Sequence, residues 1–387
     1  MSKLAIFGGS PVRTKFSWQD NKYGKSEISA VLNVIKSGQI SEFRGGPQVR
    51  DFEREYATYT DTRFAIATTS GTTALHAAIS SLGLKKGNEV IVPAITFVST
   101  ASVLLQEQLK PIFADVDDTF CINPNDVEKK ITKSTKAIIP VHLYGHPADM
   151  PSLKKLAKKY DLFLIEDAAQ AHGAKIREKK VGSLGNIGCF SFFHTKNMST
   201  GEGGMITTSD EKLYRKARLR REHGSPSNSP SWYSYKVLGY NYNMTEIQAA
   251  IGRVQLKKLD KMNKKRRVIS DKYKNALKDM NFEWVKDKSN YYNVYHNFTI
   301  LIPAKYRYKR DFIVDALHKE GIPVGIAYPS PLYRTDIFKR YTSSCPKSED
   351  ITSRLINLFT NPTLDLSLIR DIKNAFEKIF NHLNKIV

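Results

Sequence analysis

The sequence has few cysteines and no spacing typical of a metal site. Its 387 residues include three cysteines, Cys121, Cys189 and Cys345, which lie far apart in the chain. A disulfide framework or a zinc cluster requires more cysteines at closer spacing. We therefore expect neither a disulfide-stabilised fold nor a bound metal.

Long apolar runs are also absent. No stretch approaches the roughly 18 unbroken apolar residues of a membrane-spanning helix, which excludes a helical membrane protein. The opening segment MSKLAIFGGSPVRT lacks the apolar core and small residues of a signal peptide, so we expect a cytoplasmic protein. With 41% hydrophobic and 25% charged residues, the composition is that of a globular chain rather than a disordered one.

Acidic residues are scarce relative to basic ones. The 60 Lys and Arg residues outnumber the 38 Asp and Glu residues, which gives a formal net charge of +22. This excess is common in nucleic-acid-binding proteins, but the lysines occur as dispersed pairs, and only Lys264–Arg267 forms a basic run. We interpret most of the charge as a solvated surface and the rest as attracting an acidic small substrate, and we expect no nucleic-acid partner.

Residues 50–260 alternate short apolar runs with helical patterns. This order is typical of an α/β fold in which helices cover both faces of a mostly parallel sheet. Such sheets bind ligands at the carboxyl ends of their strands. The predicted strands are Phe64–Thr68, Glu89–Pro93, Pro111–Ala114, Ala137–Val141 and Leu162–Glu166, and the predicted helices are Thr73–Leu82, Val98–Gln106, Pro124–Ile131 and Met150–Tyr160.

A different pattern begins near Thr245. Thr245 and Gln248 have the spacing of a capping box, and the apolar residues that follow predict a long amphipathic helix. We predict a large domain over residues 1–250 and a smaller C-terminal α+β domain over residues 251–387. The smaller domain is predicted to contain strands Asn297–Ile302 and Pro323–Ile326 and helices Arg310–Glu320 and Leu368–Leu383, and the Ser-, Pro- and Tyr-rich segment Glu222–Tyr240 is predicted to be a loop.

The first candidate for chemistry is the segment Thr69–Thr72, which follows a predicted strand and opens a helix. The free backbone N–H groups and the dipole of such a helix end favour an anion such as phosphate. The alternative is an ordinary helix cap.

The second candidate is Asp167, at the end of the predicted strand Leu162–Glu166. A carboxylate at the mouth of a parallel sheet indicates a paired cation or a hydrogen-bonded ligand. The alternative here is an N-cap aspartate.

The third candidate is Lys196, between the aromatic run Ser191–Phe193 and the glycine-rich turn Gly201–Gly204. A lysine in a desolvated pocket has a lowered pKa and becomes an amine nucleophile suited to Schiff-base chemistry. The alternative is a solvated lysine in a surface loop.

Together these segments offer what pyridoxal phosphate requires: a helix end for its phosphate, a carboxylate for its ring nitrogen and a lysine for its aldehyde. A series of further motifs extends from about Leu4 to Leu383. They resemble, in order, those of the DegT/DnrJ/EryC1/StrS sugar aminotransferase family, which has the type I fold of aspartate aminotransferase. The motifs are AIFGGSPVRT, SGTTALHAAI, GNEVIVPAITFVSTA, PIFADVD, VHLYGHPADM, IEDAAQAHGA, GCFSFFHTKNMSTGEGGM and GYNYNMTEIQAAIG.

The resemblance implies a role for each matching residue. Lys196 matches the Schiff-base lysine, and Asp167 matches the carboxylate that pairs with the pyridine nitrogen. Further cofactor contacts are implied for Gly71 and Thr72 (phosphate cradle), Ser191 (phosphate), Gln170 (beside the phenolic oxygen), Phe97 (stacked on the ring) and Asn243, with Asn241 as second choice (the partner subunit's phosphate). Many relatives have arginine at the position of Asn243.

The implied function is a pyridoxal-phosphate-dependent aminotransferase that moves an amino group from glutamate or glutamine to a keto-sugar, most naturally a nucleotide-linked one, in a homodimer. Two alternatives stay open at this point. One is a keto-cyclitol or aminohydroxybenzoate enzyme of the same family, which the opening motif and VHLYGHPADM resemble. The other is a basic binding protein without catalysis. Lys196 argues against the dehydratases of the family, which carry histidine at that position.

Overall fold

The computed structural model describes residues 3–14, 22–226 and 233–385. Helices and strands alternate through the first two thirds of these residues, as the apolar pattern predicts. The helices are α1 (Lys25–Ser37), α2 (Pro47–Thr60), α3 (Gly71–Ser81), α4 (Ser99–Gln106), α5 (Pro124–Lys130), α6 (Met150–Tyr160), α7 (Glu211–Arg221), α8 (Glu246–Leu277), α9 (Arg310–Lys319), α10 (Pro346–Arg354) and α11 (Ser367–Leu383). The strands are β1 (Phe64–Thr68), β2 (Glu89–Pro93), β3 (Lys110–Ala114), β4 (Thr135–Ile138), β5 (Phe163–Asp167), β6 (Lys175–Ile176), β7 (Lys179–Lys180), β8 (Ile187–Ser191), β9 (Gly204–Thr208), β10 (Glu283–Trp284), β11 (Tyr291–Tyr292), β12 (Asn297–Leu301) and β13 (Leu355–Phe359).

A seven-stranded sheet with the order β1-β9-β8-β5-β4-β2-β3 forms the centre of the fold. Its pairs are parallel from β8 to β3, and β9 runs antiparallel to both β1 and β8. Strands β2 and β8 are buried along their whole length, since separate hydrophobic clusters cover the two faces of the sheet. The predicted α/β class with a mostly parallel sheet is confirmed.

Most strands and helices lie within two residues of their predicted bounds. The predicted strand Pro323–Ile326 is wrong, because the segment forms only an isolated bridge between Gly325 and Asn357. Proline has no N–H to donate to a ladder, and the Ala327 N–H donates to the side chain of Asn357 on β13 at 2.7 Å rather than to a strand carbonyl. The described part of Glu222–Tyr240 contains neither a helix nor a strand, as predicted, and residues 227–232 of that segment lie outside the described residues.

Helix α8 begins with the predicted capping box. The backbone N–H of Gln248 donates to the Thr245 hydroxyl at 3.3 Å, and the Thr245 N–H donates to Gln248 Oε1 at 2.9 Å. The N-terminal part of α8 packs on α1 and α2, and its C-terminal part joins a third hydrophobic cluster with β12, β13, α9 and α11. The predicted domain boundary at residues 250/251 falls inside α8, and the division stays a prediction.

The remaining strands form two small sheets, β10-β12-β13 and β11-β6-β7. Within the described ranges, no helix combines the length and the apolar character required to cross a membrane.

Candidate active site

A cavity of about 640 Å³ lies at the carboxyl ends of the central strands. This is the edge where ligands of parallel sheets bind. The C-terminal third of the chain supplies a further wall of the cavity. The structure brings together here seven of the nine residues predicted from sequence, namely Gly71, Thr72, Phe97, Asp167, Gln170, Ser191 and Lys196.

Helix α3 points its N-terminus into the cavity. Ser70 caps the helix, since its hydroxyl accepts from the Thr73 N–H at 3.1 Å and its own N–H donates to the Thr73 hydroxyl at 2.9 Å. The N–H groups of Gly71 and Thr72 precede the first intrahelical hydrogen bond and have no acceptor within the helix. They are therefore available to an anion, and the Thr72 hydroxyl lies 2.7 Å from that of Ser99.

Gly71 allows a close approach between α3 and β8. A Cβ atom at this position would lie 2.6 Å from Cβ of Ser191. The absence of a side chain therefore lets the hydroxyl of Ser191 and the first turn of α3 line the same corner of the cavity.

Asp167 is 5% exposed and ends strand β5. Its Oδ2 accepts from the Thr100 hydroxyl at 2.8 Å, and its Oδ1 accepts from the Ala169 N–H at 3.2 Å. Thr100 is in turn 2.7 Å from the hydroxyl of Thr96, which lines the cavity. Burial raises the pKa of Asp167, while the hydrogen bond from Thr100 and the charge of Lys196 act to lower it. A cation bound next to this carboxylate would favour its ionised form.

The Gln170 side chain forms hydrogen bonds with Tyr144 and with Tyr328, and Tyr328 belongs to the C-terminal wall of the cavity. Its Oε1 accepts from the Tyr144 N–H at 2.7 Å, and its Nε2 donates to the Tyr328 hydroxyl at 2.8 Å. Both ends of the amide are therefore oriented by the protein.

Lys196 lies in the turn that follows β8, where its backbone N–H donates to the carbonyl of Phe193 at 2.9 Å. The ammonium group of Lys22 holds this turn by donating to the carbonyl oxygens of His194 and, at 3.0 Å, of Lys196. Burial lowers the pKa of the Lys196 ammonium to about 8, Asp167 opposes the change and the charge of Lys22 adds to it. The geometry provides an amine that is partly neutral near neutral pH.

The remaining predicted residues differ in their placement. Phe97 is 60% exposed and lines the cavity, so one face of its ring is open to a ligand. Asn241 and Asn243 do not line the cavity of their own chain. They bond to each other, with Asn243 Nδ2 donating to Asn241 Oδ1 at 3.0 Å.

Sequence reasoning missed several residues of the site. Thr100 falls inside the motif GNEVIVPAITFVSTA. Its position four residues after Thr96 could have identified it as a second hydroxyl of the site. The C-terminal wall had no local signal, because long-range packing alone brings it to the strand ends. It consists of His296, Asn297, Ala327, Tyr328, Phe359 and Asn361. In the part of the chain that the structure describes, no cluster of His, Cys, Asp and Glu could hold a metal ion.

Comparisons with known proteins show which family the chain resembles. The profile of the DegT/DnrJ/EryC1/StrS aminotransferase family matches residues 21–377. A UDP-N-acetyl-3-dehydro-alpha-D-glucosamine 3-aminotransferase from Acidithiobacillus ferrooxidans is 42% identical over 322 residues, which cover 82% of this chain and 85% of that protein. A GDP-perosamine synthase from Escherichia coli O157:H7 is 37% identical over 350 residues, which cover 90% of this chain and 93% of that protein.

The fold is also that of solved aminotransferases. The crystal structure of 3-amino-5-hydroxybenzoic acid synthase superposes with a TM-score of 0.89 at 30% identity, and the match covers 96% of this chain and 100% of the other.

Proposed function

The chain belongs to the DegT/DnrJ/EryC1/StrS aminotransferase family, and on this premise we propose that it transfers an amino group from glutamate or glutamine to a nucleotide-linked keto-sugar, with pyridoxal phosphate as cofactor. The observation that carries the proposal is the convergence of Lys196, Asp167 and the N-terminus of α3 in one cavity.

The residues of the cavity fit pyridoxal phosphate. The first turn of α3 offers the phosphate N–H groups that have no acceptor within the helix, and Gly71 keeps this corner free of a side chain that would collide with Ser191. Asp167 would pair with the ring nitrogen, Phe97 would cover one face of the ring, and the oriented amide of Gln170 would lie beside the phenolic oxygen. When bound, pyridoxal phosphate supplies an aldehyde that bonds to amines and a ring that accepts the electrons left behind by a departing proton.

The protein's own groups move the proton. Lys196 has a lowered pKa, so its amine takes up the α-proton of the amino donor and returns a proton to the amino acceptor. Asp167 holds a positive charge in place while this happens, because Thr100 and the Ala169 N–H orient its two oxygens. Lys22 fixes the backbone of the turn, so Lys196 reaches the same point in both half-reactions.

The names of two relatives and the charge of the chain support a nucleotide-linked sugar as the amino acceptor. The relatives from Acidithiobacillus ferrooxidans and Escherichia coli are named for UDP- and GDP-linked sugars. In addition, the chain's net charge of +22 favours the approach of a diphosphate.

The proposal includes a homodimer with composite sites. Helix α1 exposes an apolar stripe at helical spacing, with Ile28 at 60%, Leu32 at 48% and Ile35 at 54% exposure, and such a stripe favours contact with another surface. Because Asn241 and Asn243 lie outside the cavity of their own chain, we propose that one of them contacts the cofactor phosphate of the partner subunit.

A substrate screen tests the proposed function. The purified protein, loaded with pyridoxal phosphate, is incubated with glutamate or glutamine and with nucleotide-linked keto-sugars, including UDP-N-acetyl-3-dehydro-alpha-D-glucosamine. Mass spectrometry is expected to detect an amino-sugar nucleotide. A protein that carries the cofactor and reacts with the donor, yet aminates none of these sugars, would contradict the sugar assignment.

A second candidate follows from the similarity to 3-amino-5-hydroxybenzoic acid synthase. Keto-cyclitols and the cyclic precursors of aminohydroxybenzoate therefore belong in the same screen, and product formation from one of them alone would favour this branch.

A further inference from the structure

A buried chain of amide side chains leads from α8 to His296 behind Lys196. Asn263 Nδ2 donates to the backbone carbonyl of His172 at 2.8 Å, which leaves Asn263 Oδ1 as an acceptor. Asn197, the residue after Lys196, donates from Nδ2 to Asn263 Oδ1 at 2.9 Å and to the carbonyl of Val294 at 3.1 Å. Both amide hydrogens of Asn197 are thereby used, so the orientation of its oxygen is determined.

The orientation of Asn197 determines where His296 carries its hydrogen. Asn197 Oδ1 lies 3.3 Å from His296 Nδ1. Because this oxygen can only accept, the hydrogen must be on Nδ1. Burial and the positive charges of Lys196, Arg266 and Lys22 hold the pKa of His296 well below its usual value, so the ring is neutral. A neutral ring with hydrogen on Nδ1 has a free lone pair on Nε2.

His296 is 8% exposed and lines the cavity on a wall of neutral polar groups. Asn297, Tyr328 and Asn361 line the same cavity and carry no charge, whereas the carboxylates along it are those of Asp167 and Glu202. Neutral donors and acceptors on this wall can form hydrogen bonds with hydroxyl groups of a substrate, but they offer no opposite charge to a charged group.

We propose that the chain of amide side chains formed by Asn263 and Asn197 holds His296 in the Nδ1–H form. Nε2 of His296 then accepts a hydrogen bond from a hydroxyl group of the amino-acceptor substrate. This inference rests on the proposed function, since the hydroxyl-bearing substrate is the keto-sugar. His296 is then a specificity-determining residue, because a site built to bond a hydroxyl discriminates against a substrate that lacks it.

The tautomer is tested without any substrate. The loaded enzyme is labelled with ¹⁵N in its histidine rings, and long-range proton–nitrogen spectra are recorded from about pH 5.5 to about 8.5, which spans the usual histidine pKa. His296→Gln identifies the signals of His296. We expect a neutral ring with hydrogen on Nδ1 throughout this range. A ring that titrates with its ordinary pKa, or that carries its hydrogen on Nε2, would overturn the proposal.

Kinetics test the role of Nε2 with the keto-sugar that reacts best in the substrate screen. Glutamine at position 296 can still offer an acceptor, whereas His296→Phe keeps a ring of similar size and offers none. We expect the phenylalanine variant to lose about 10- to 100-fold in kcat/KM for the keto-sugar, as for an unmade hydrogen bond, and the glutamine variant to lose much less. In the phenylalanine variant the loss should be much larger for the keto-sugar than for single-turnover reaction with the amino donor, because only the keto-sugar half-reaction involves the sugar hydroxyl.

His382→Gln is the matched control, since His382 lies on α11, contacts Phe7 near the N-terminus and does not line the cavity. A phenylalanine variant with wild-type kcat/KM for the keto-sugar and a normal donor reaction would overturn the His296 inference and leave the proposed function intact. Failure of the wild-type enzyme to bind pyridoxal phosphate or to react with the donor would overturn both.

Discussion

The pKa of the Lys196 amine is set by its burial and by two neighbouring charges, those of Asp167 and Lys22. Burial lowers the pKa of the amine from its ordinary 10.5 to about 8, the carboxylate of Asp167 acts in the opposite direction, and the ammonium of Lys22 acts with burial. Half of the Lys196 side chains are therefore neutral near pH 8, at which a solvated lysine is almost fully protonated.

This shift predicts how the cofactor attaches at different pH values. Only the neutral amine attacks an aldehyde, so the rate of reaction between cofactor-free protein and pyridoxal phosphate should rise with pH and level off above about pH 8. Stopped-flow absorbance measures this rate, and N-acetyl-lysine amide serves as the solvated control, with a rise that continues to about pH 10. A protein profile that follows the control would contradict the lowered pKa.

At the scale of elements, the contact between α3 and β8 is the most restrictive feature of the site. Gly71 lies so close to Ser191 that an added methyl group would displace one of the two segments. We therefore expect Gly71→Ala to weaken pyridoxal phosphate binding by at least about tenfold, since a misplaced helix end loses hydrogen bonds to the phosphate. Fluorescence titration of the cofactor-free variant measures the change in Kd.

The double variant Gly71→Ala, Ser191→Gly is the matched control for this prediction. It removes the Cβ atom that the new methyl group would meet, so relative to Ser191→Gly alone the added methyl group should weaken binding by much less than tenfold. Equal affinity of the single variant and the wild type would show that the close approach does not matter for the cofactor.

Elements with strong local signals were predictable, and those that depend on distant partners were not. The apolar runs of β1 and β2 and the capping box of α8 led to correct predictions because neighbouring residues decide these features. The segment Pro323–Ile326 is apolar enough for a strand, but its pairing depends on β13, far along the chain. Local patterns likewise pointed to Lys196 and Asp167, which line the cavity, whereas the bond between Gln170 and Tyr328 joins segments too distant in sequence to be predicted.

At the scale of the whole molecule, the proposed dimer explains two otherwise separate observations. The apolar stripe of α1 remains exposed in one chain, and Asn241 and Asn243 lie outside the cavity that they are predicted to serve. A two-fold axis would bury the stripe and complete both sites at once, since each contact of such an interface occurs twice.

Mixed dimers test the composite site. Subunits with Lys196→Ala lack the amine, and subunits with Asn241→Ala and Asn243→Ala lack the contact to the partner's phosphate, so each parent should have low activity. After subunit exchange, mixed dimers should regain one intact site and exceed both parents, which is measured by the amination assay. A fully active monomer in sedimentation, or no gain despite proven exchange between impaired parents, would argue against cross-subunit contact.

The most direct test of the account is to map where the cofactor is attached. The protein is loaded with pyridoxal phosphate, reduced with borohydride, digested and analysed by mass spectrometry. We expect a single major adduct on Lys196, which is lost in Lys196→Ala and retained when the exposed Lys158 on α6 is replaced by alanine. An adduct on a different lysine, or none on a protein that still transfers amino groups, would contradict the central role of Lys196.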